Sequence, residues 1–261
     1  MQAGRFSAGG RLLLRIEDID ATRCSPEHVA SSLADLAWLG LRFAGAPLLQ
    51  STRRPAHDEA LARLTALGVT YPCFCSRADI AAAGGAPHAG DFAPYPGTCR
   101  ALGAATARQR QQSEACAIRL DAGKALALAG PLQWQDQDDA LHHADPLAAG
   151  DVVLARKDIG VGYMLAAVVD DGFQQVTLIV RGRDLLPATP TQRLLQALLG
   201  LPAPRYLHHR LLLSADGRRL AKRDRAETLF ALRQRGIDGK ALAGRLAALP
   251  PTGPDLYFSV D

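Results

Sequence analysis

Leu12-Leu13-Leu14-Arg15-Ile16-Glu17-Asp18 is the stretch from which the fold is read. A short apolar run that ends on two carboxylates reads as a buried strand with acidic groups at its C-terminal end. Ser25-Pro26 then supplies an N-cap and a first-turn proline. Val29, Leu33 and Leu36 share one helical face, and Gly40 closes the segment. A second helix carries Ala60, Leu61, Leu64 and Leu67 and stops at Gly68. Strand, helix, helix and strand in this order predict α/β crossovers on a parallel sheet.

The same rhythm returns in the second half. Residues 165–169 read as an apolar strand or a buried helix segment ending at Asp170-Asp171-Gly172. Residues 176–180 form a continuous apolar strand ending at Arg181-Gly182. Thr189-Pro190-Thr191-Gln192 combines a Thr N-cap, a first-turn Pro and a Gln at N3, and so opens a helix through Leu199. Leu211-Leu212-Leu213-Ser214 leads into the hairpin-type turn Asp216-Gly217 and the basic run Arg218-Arg219-Leu220-Ala221-Lys222-Arg223. The remainder reads as helical.

Between the halves, from Tyr71 to about Leu120, the rhythm breaks. Cys73 and Cys75 are followed by Tyr95 and Cys99, with Pro72 and Pro94-Tyr95-Pro96-Gly97 stiffening both approaches. Three thiolates and a phenol make a nearly complete tetrahedral donor set of the kind zinc prefers. Taken alone, the same residues are equally read as unrelated buried thiols. A short helix capped by Ser76, with Asp79 three residues on, and the stretch Gly84-Gly85-Ala86-Pro87 complete an inserted subdomain whose small core would gain from a metal. Beyond it, residues 117–120, 132–134 and 151–154 read as strands.

Composition bounds the class. The chain has 261 residues and is 48% hydrophobic, enough for one large domain or two small ones. No apolar run approaches the roughly 20 residues of a membrane span, and the N-terminus lacks the pattern of a secretory leader. Five unevenly spaced cysteines argue against a disulfide scaffold and for a reducing, cytoplasmic setting. A net charge of +4 permits an anionic partner such as a nucleotide or RNA. An aromatic content of 5% offers no obvious platform for stacking bases.

In a parallel α/β sheet, ligands bind beyond the carboxyl ends of the strands. Glu17, Arg181 with Asp184, and the basic turn at Lys222 all sit just past such ends. A carboxylate and a guanidinium can hold the amino and carboxylate groups of an amino acid. A lysine can neutralise transferring phosphates as a point charge. Each also has a plainer reading, as a loop charge, a surface ion pair or a solvated basic face.

Taken together, four separated motifs in order resemble a family. They are Arg15-Ile16-Glu17-Asp18-Ile19-Asp20; Tyr163-Met164-Leu165-Ala166 before Val168-Val169-Asp170-Asp171; Val180-Arg181-Gly182-Arg183-Asp184-Leu185-Leu186 with Thr189-Pro190-Thr191-Gln192; and the cysteine cluster. From about Leu12 to Thr228 the chain resembles class I glutamyl-tRNA synthetases, and in particular the short paralogues called glutamyl-queuosine tRNA(Asp) synthetases. The resemblance implies a Rossmann-like α/β catalytic domain with a zinc-bearing insertion. The halves would be 1–70 and 121–227, the second taking in an acceptor-side region, the insertion 71–120, and a short C-terminal helical segment 228–261.

It also implies roles. Glu17 would hold the amino group of the substrate glutamate, and Tyr163 and Arg181 would complete that pocket. Lys222, in a degenerate form of the family's Lys-Met-Ser-Lys-Ser loop, would touch the phosphates of ATP bound with Mg²⁺. Cys73, Cys75, Tyr95 and Cys99 would hold a structural Zn²⁺. The partners would be L-glutamate, ATP and tRNA(Asp) bearing queuosine, with no membrane, and a monomer is expected. No protein nucleophile is needed, and His142-His143 and His208-His209 are given no role beyond structure or surface.

The family's first strand and its His-x-Gly-His-like element should stand well upstream of Leu12, whereas eleven residues precede it here. Arg5-Phe6 matches the family's opening, but no signature histidine follows. Impaired catalysis is therefore expected of this chain. The short remainder after Lys222 points to the paralogue, since the ordinary synthetase continues into a larger helical region. Two other readings are a fragment of a glutamyl-tRNA synthetase charging tRNA(Glu), and a non-catalytic, zinc-stabilised tRNA-binding protein.

Overall fold

The computed structural model describes residues 10–22, 24–76, 78–80, 95–214 and 228–257. The Gly84–Pro87 stretch, the Asp216-Gly217 turn, the basic run with Lys222, and Arg5-Phe6 lie outside them. Among the described residues no helix is long and apolar enough to cross a membrane. The chain divides into two compact units.

The first unit comprises Met1–Ser51, Val180–Leu186 and Leu207–Asp261. Its opening strand β1 is only Arg15–Ile16, shorter than the apolar run suggests, and pairs in parallel with β2 (Leu48–Leu49). Helix α1 (Pro26–Trp38) begins as expected, with Ser25 Oγ accepting from the His28 N–H at 3.3 Å. Two short helices, α7 (Leu229–Gln234) and α8 (Gly239–Ala247), lie in the same unit as α1. Asp35 on α1 receives Arg233 Nε at 3.0 Å, and Trp38 Nε1 donates to the Ile237 carbonyl at 3.2 Å. Gly239 is required at that contact: a Cβ there would lie 2.5 Å from the Trp38 ring. A last strand, β12 (Leu256–Tyr257), pairs in parallel with β11 (Leu212–Leu213) and has no counterpart in the sequence reading.

The second unit comprises Thr52–Ile179 and Pro187–Tyr206. Its sheet runs β3 (Thr70–Cys73), β4 (Ala117–Leu120), β7 (Val153–Arg156) and β8 (Gly160–Val161), every neighbour antiparallel. Among the described pairs of stated direction, the parallel pairing predicted for the chain is thus limited to the two-residue pairs of the first unit and one isolated bridge, Asp136 with Tyr206, in the second. Short apolar runs carry no information about the direction of the partner strand.

Helices α2 (Arg54–Ala66), α5 (Tyr163–Phe173) and α6 (Thr189–Leu199) pack together in this unit. Residues 165–169 are therefore helix, not strand. Leu64, Leu120, Leu154, Leu165, Leu194 and Leu195 are fully buried, each worth about 1.5–3 kcal/mol of transfer free energy. Helix α4 (Ala122–Ala129) is capped by Asp121, and the hairpin β5 (Leu132–Gln135) and β6 (Leu141–Ala144) stacks Trp134 on His142 at 4.2 Å.

Thr189 does not cap α6. A 3-10 segment, Arg183–Ala188, runs directly into that helix, Ala188 occupies the cap position without a side-chain bond, and Thr189 is buried. Strands β9 (Leu178–Gly182) and β10 (Arg205–His209) pair with each other and contribute residues to both units.

Candidate functional site

Strand β3 ends at Cys73, and the capping box just beyond it forms as expected. The Ser76 N–H donates to Asp79 Oδ2 at 2.7 Å, and the Asp79 N–H donates to Ser76 Oγ at 3.2 Å. This turn and the 95–99 segment bring the four expected donors together. The sulfurs of Cys73, Cys75 and Cys99 all lie within 4.8 Å of one another. Cys75 and Cys99 are 3.5 Å apart, and the Tyr95 hydroxyl lies 3.4 Å from Cys73 Sγ and 3.3 Å from Cys75 Sγ. A tetrahedral ion with sulfur at about 2.3 Å separates its sulfurs by about 3.8 Å, so the donor set has the spacing to hold such an ion.

Backbone groups steady the ligands. The Phe74 N–H points at Cys99 Sγ at 3.4 Å, and the Cys99 N–H donates to the Tyr95 hydroxyl at 2.9 Å. Burial pushes the Tyr95 phenol up from its ordinary value, with hydrogen bonds to Cys73 and Cys75 adding to it. Burial also raises the Cys75 thiol. Burial opposes ionisation of Cys99 too, but the Phe74 N–H and the Tyr95 hydroxyl outweigh it and hold that thiol below the usual range. Cys99 therefore gives up its proton more readily than an ordinary thiol, the direction a metal ligand requires.

Around the cluster stands a layer that the motif does not announce. The Arg119 guanidinium lies 3.8 Å from the centre of the Tyr95 ring, and its Nη1 donates to the Asp151 carbonyl at 2.7 Å. Arg119 is itself 8% exposed. The buried Asp151 carboxylate receives the Tyr71 hydroxyl at 2.5 Å, the Ala122 N–H at 3.0 Å and Arg100 Nε at 3.3 Å. Burial and this contact push the Tyr71 phenol well up.

The three residues assigned to glutamate are distributed over both units. Glu17 belongs to the first, with its side chain 46% exposed and a long 3.8 Å contact to Arg15 Nη2. Its neighbours are spent on structure: Asp18 receives the Ser51 N–H at 2.8 Å and hydroxyl at 2.6 Å, and Asp20 receives the Thr22 hydroxyl at 2.6 Å. Within Glu17-Asp18-Ile19-Asp20, then, Glu17 is the carboxylate presented to solvent. Arg181, in the same unit near the end of β9, is buried and donates from Nε to His208 Nε2 at 3.3 Å. The contact to His208 carries no sequence signal beyond a histidine in a strand.

Tyr163, in the second unit, is the first residue of α5 and is 37% exposed. The far end of that helix is tied down by a buried charge network. Asp170, fully buried, receives Arg53 Nε at 3.0 Å, and His57 Nε2 lies 3.0 and 3.1 Å from its two oxygens. Arg53 also lies over the Phe173 ring at 3.7 Å. His57 and Asp170 are 113 residues apart in sequence, so no local pattern joins them. Lys222 lies outside the described residues.

Comparison with known proteins places this geometry. The family model described as tRNA synthetases class I (E and Q), catalytic domain, matches residues 6–243. The glutamyl-Q tRNA(Asp) synthetase of Nitratidesulfovibrio vulgaris is 41% identical over 265 aligned residues, covering 95% of this chain and 78% of that protein. The one of Rhodobacter capsulatus is 44% identical over 239 residues, covering 88% and 85%. That of Symbiobacterium thermophilum is 43% identical over 257, covering 93% and 77%. Among solved structures, a glutamate tRNA ligase from Elizabethkingia meningosepticum, in complex with its amino acid, superposes with a TM-score of 0.72 at 23% identity. It shares the fold over 92% of this chain, which spans 54% of that longer one. The motifs, the fold and these relatives together establish that the chain belongs to the class I tRNA synthetases of the E and Q type.

Proposed function

We propose that this chain activates L-glutamate with ATP and transfers the glutamyl group to queuosine in the anticodon of tRNA(Asp). The observation that carries the reading is that relatives 41–44% identical, spanning 77–85% of their own length, share that name. A carboxylate oxygen of glutamate attacks the α-phosphorus of ATP, to which Mg²⁺ is bound. The bond to the β-phosphate breaks, and glutamyl-adenylate and pyrophosphate form. A hydroxyl of the queuosine ring then attacks the acyl carbon, and AMP leaves. The adenylate is already activated, so the protein supplies position and charge and no nucleophile of its own.

In this scheme Glu17 pairs with the substrate ammonium, and Arg181, in the same unit, forks onto a carboxylate. Lys222 offsets charge on the departing phosphates. The buried setting of Arg181 supports its role, because a guanidinium out of water binds a carboxylate more strongly than a solvated one. We assign residues 71–120 to an insertion between the catalytic halves 1–70 and 121–227, and 228–261 to a short C-terminal extension in which two helices precede β12. In the insertion, Cys73, Cys75, Tyr95 and Cys99 would hold a structural Zn²⁺, which when bound would lock β3 to the 95–99 segment and take no part in acyl transfer.

The test is glutamate-dependent ATP–pyrophosphate exchange without tRNA, followed by transfer of labelled glutamate. Exchange is expected at an impaired rate, with label on queuosine-bearing tRNA(Asp) and none on the same tRNA lacking queuosine. Label at the 3′ end of tRNA(Glu) would move the chain to the ordinary synthetases. Neither exchange nor transfer would leave a zinc-stabilised RNA-binding protein.

A further inference from the structure

His208 has no part in the scheme above, yet it makes the polar contact described for the most deeply placed ligand candidate. Arg181 Nε donates to His208 Nε2 at 3.3 Å, and Arg181 is 8% exposed. The direction of this bond is fixed by chemistry. Arginine carries only donors, so His208 must present Nε2 as a bare acceptor, in a neutral ring with its proton on Nδ1. The two residues stand on the neighbouring strands β9 and β10, so backbone pairing holds the acceptor in place. Close packing follows at once along β9. A Cβ on Gly182 would lie 2.3 Å from Asp184 Oδ1 and 3.1 Å from Leu211 Cδ2.

We propose that His208 is a positioning residue for glutamate, acting through Arg181. This rests on the reading of Arg181 as the carboxylate ligand. A free arginine side chain explores many rotamers, worth about 2 kcal/mol of entropy, while its planar fork binds a carboxylate well in one orientation only. The hydrogen bond at Nε fixes rotation about the last side-chain torsions, and so sets the plane of the guanidinium before substrate arrives. Without the acceptor the charge remains but this restraint on the plane is lost, and an error of about 1 Å in such a group can cost on the order of a hundredfold. His208 touches neither substrate nor reacting atoms in this account.

The test compares wild type with His208→Leu, which removes the acceptor, and His208→Gln, whose amide oxygen restores one at similar reach. Glutamate KM, ATP KM and kcat are read from glutamate-dependent ATP–pyrophosphate exchange, with the melting temperature of each variant alongside. The leucine variant is expected to raise the glutamate KM by at least about tenfold and to leave the ATP KM unchanged. The glutamine variant is expected within about threefold of wild type in both. An unchanged glutamate KM in the leucine variant overturns the proposal alone. Equal loss in both variants, matched by equal loss of melting temperature, assigns His208 to structure and also overturns it. A wild-type chain with no glutamate-dependent exchange overturns the functional reading, and this proposal with it.

Discussion

Replacing Asp170 by alanine should destabilise the second unit's helical layer as much as truncating a core leucine does. The carboxylate is fully buried and satisfies two cationic or donor groups, Arg53 Nε at 3.0 Å and His57 Nε2 at 3.0 and 3.1 Å. His57 is 1% exposed and the Arg53 side chain 17%, so neither can recover full hydration once the carboxylate is gone. Removing one partner of a buried pair typically costs about 3–5 kcal/mol, because the other charge is stranded. At about 2–4 °C per kcal/mol for a chain of this size, the melting temperature should fall by roughly 6–20 °C. Thermal unfolding followed by circular dichroism reads this directly. The double variant Asp170→Ala with Arg53→Leu should lose less than the sum of the two single losses, because the stranded guanidinium is gone. A fall of under about 3 °C for Asp170→Ala would refute the reasoning, as would strict additivity. Either would mean that water replaces the carboxylate at little cost.

Four further outcomes are expected. Purified wild type should carry close to one zinc per chain by elemental analysis, and Cys73→Ser should lose most of it together with several degrees of melting temperature; metal-free wild type would remove the metal reading. Arg119→Leu should weaken zinc retention against a competing chelator by about 10- to 100-fold, as loss of an outer-layer partner commonly does, and retention equal to wild type would show that the Tyr95 ring needs no cover. Arg181→Ala should raise the glutamate KM well above tenfold while its melting temperature stays near that of wild type, and normal glutamate affinity would remove Arg181 from the pocket. Leu165→Ala, at a fully buried position, should cost about 2–5 kcal/mol in urea unfolding.

Features coded within a few residues were legible in the sequence. Ser25 and Pro26 start α1, Ser76 and Asp79 close their reciprocal cap, and the three cysteines with Tyr95 gather into one donor set. The two caps follow from local backbone rules, and the donor set joins two such turns across the 22 positions from Cys73 to Tyr95. What escaped depends on partners far away in the chain. His57 and Asp170 form a pair that no spacing rule connects. His208 looked like a surface histidine because the strand that presents Arg181 to it is read from a different segment. Thr189 had the residue pattern of a cap, but the 3-10 segment before it leads into the helix and leaves no cap position open. The two-residue β12 is too short for any periodicity to reveal, and the antiparallel sheet around β4 follows from pairings that apolar runs alone do not encode.

Asp151 sets a limit on transplanting the cysteine cluster. Its carboxylate holds Tyr71 and Arg100, which flank the ligands, and its carbonyl holds the arginine that covers Tyr95. A graft that copied only residues 71–120 into another scaffold would bring the donors and leave behind the residue that orients their supports. Tyr71, Arg100 and Arg119 would then arrive with their polar groups unmet. In descendants of this chain, the ligand residues and position 151 should therefore be lost or kept together, even though 52 positions separate Cys99 from Asp151 in the sequence.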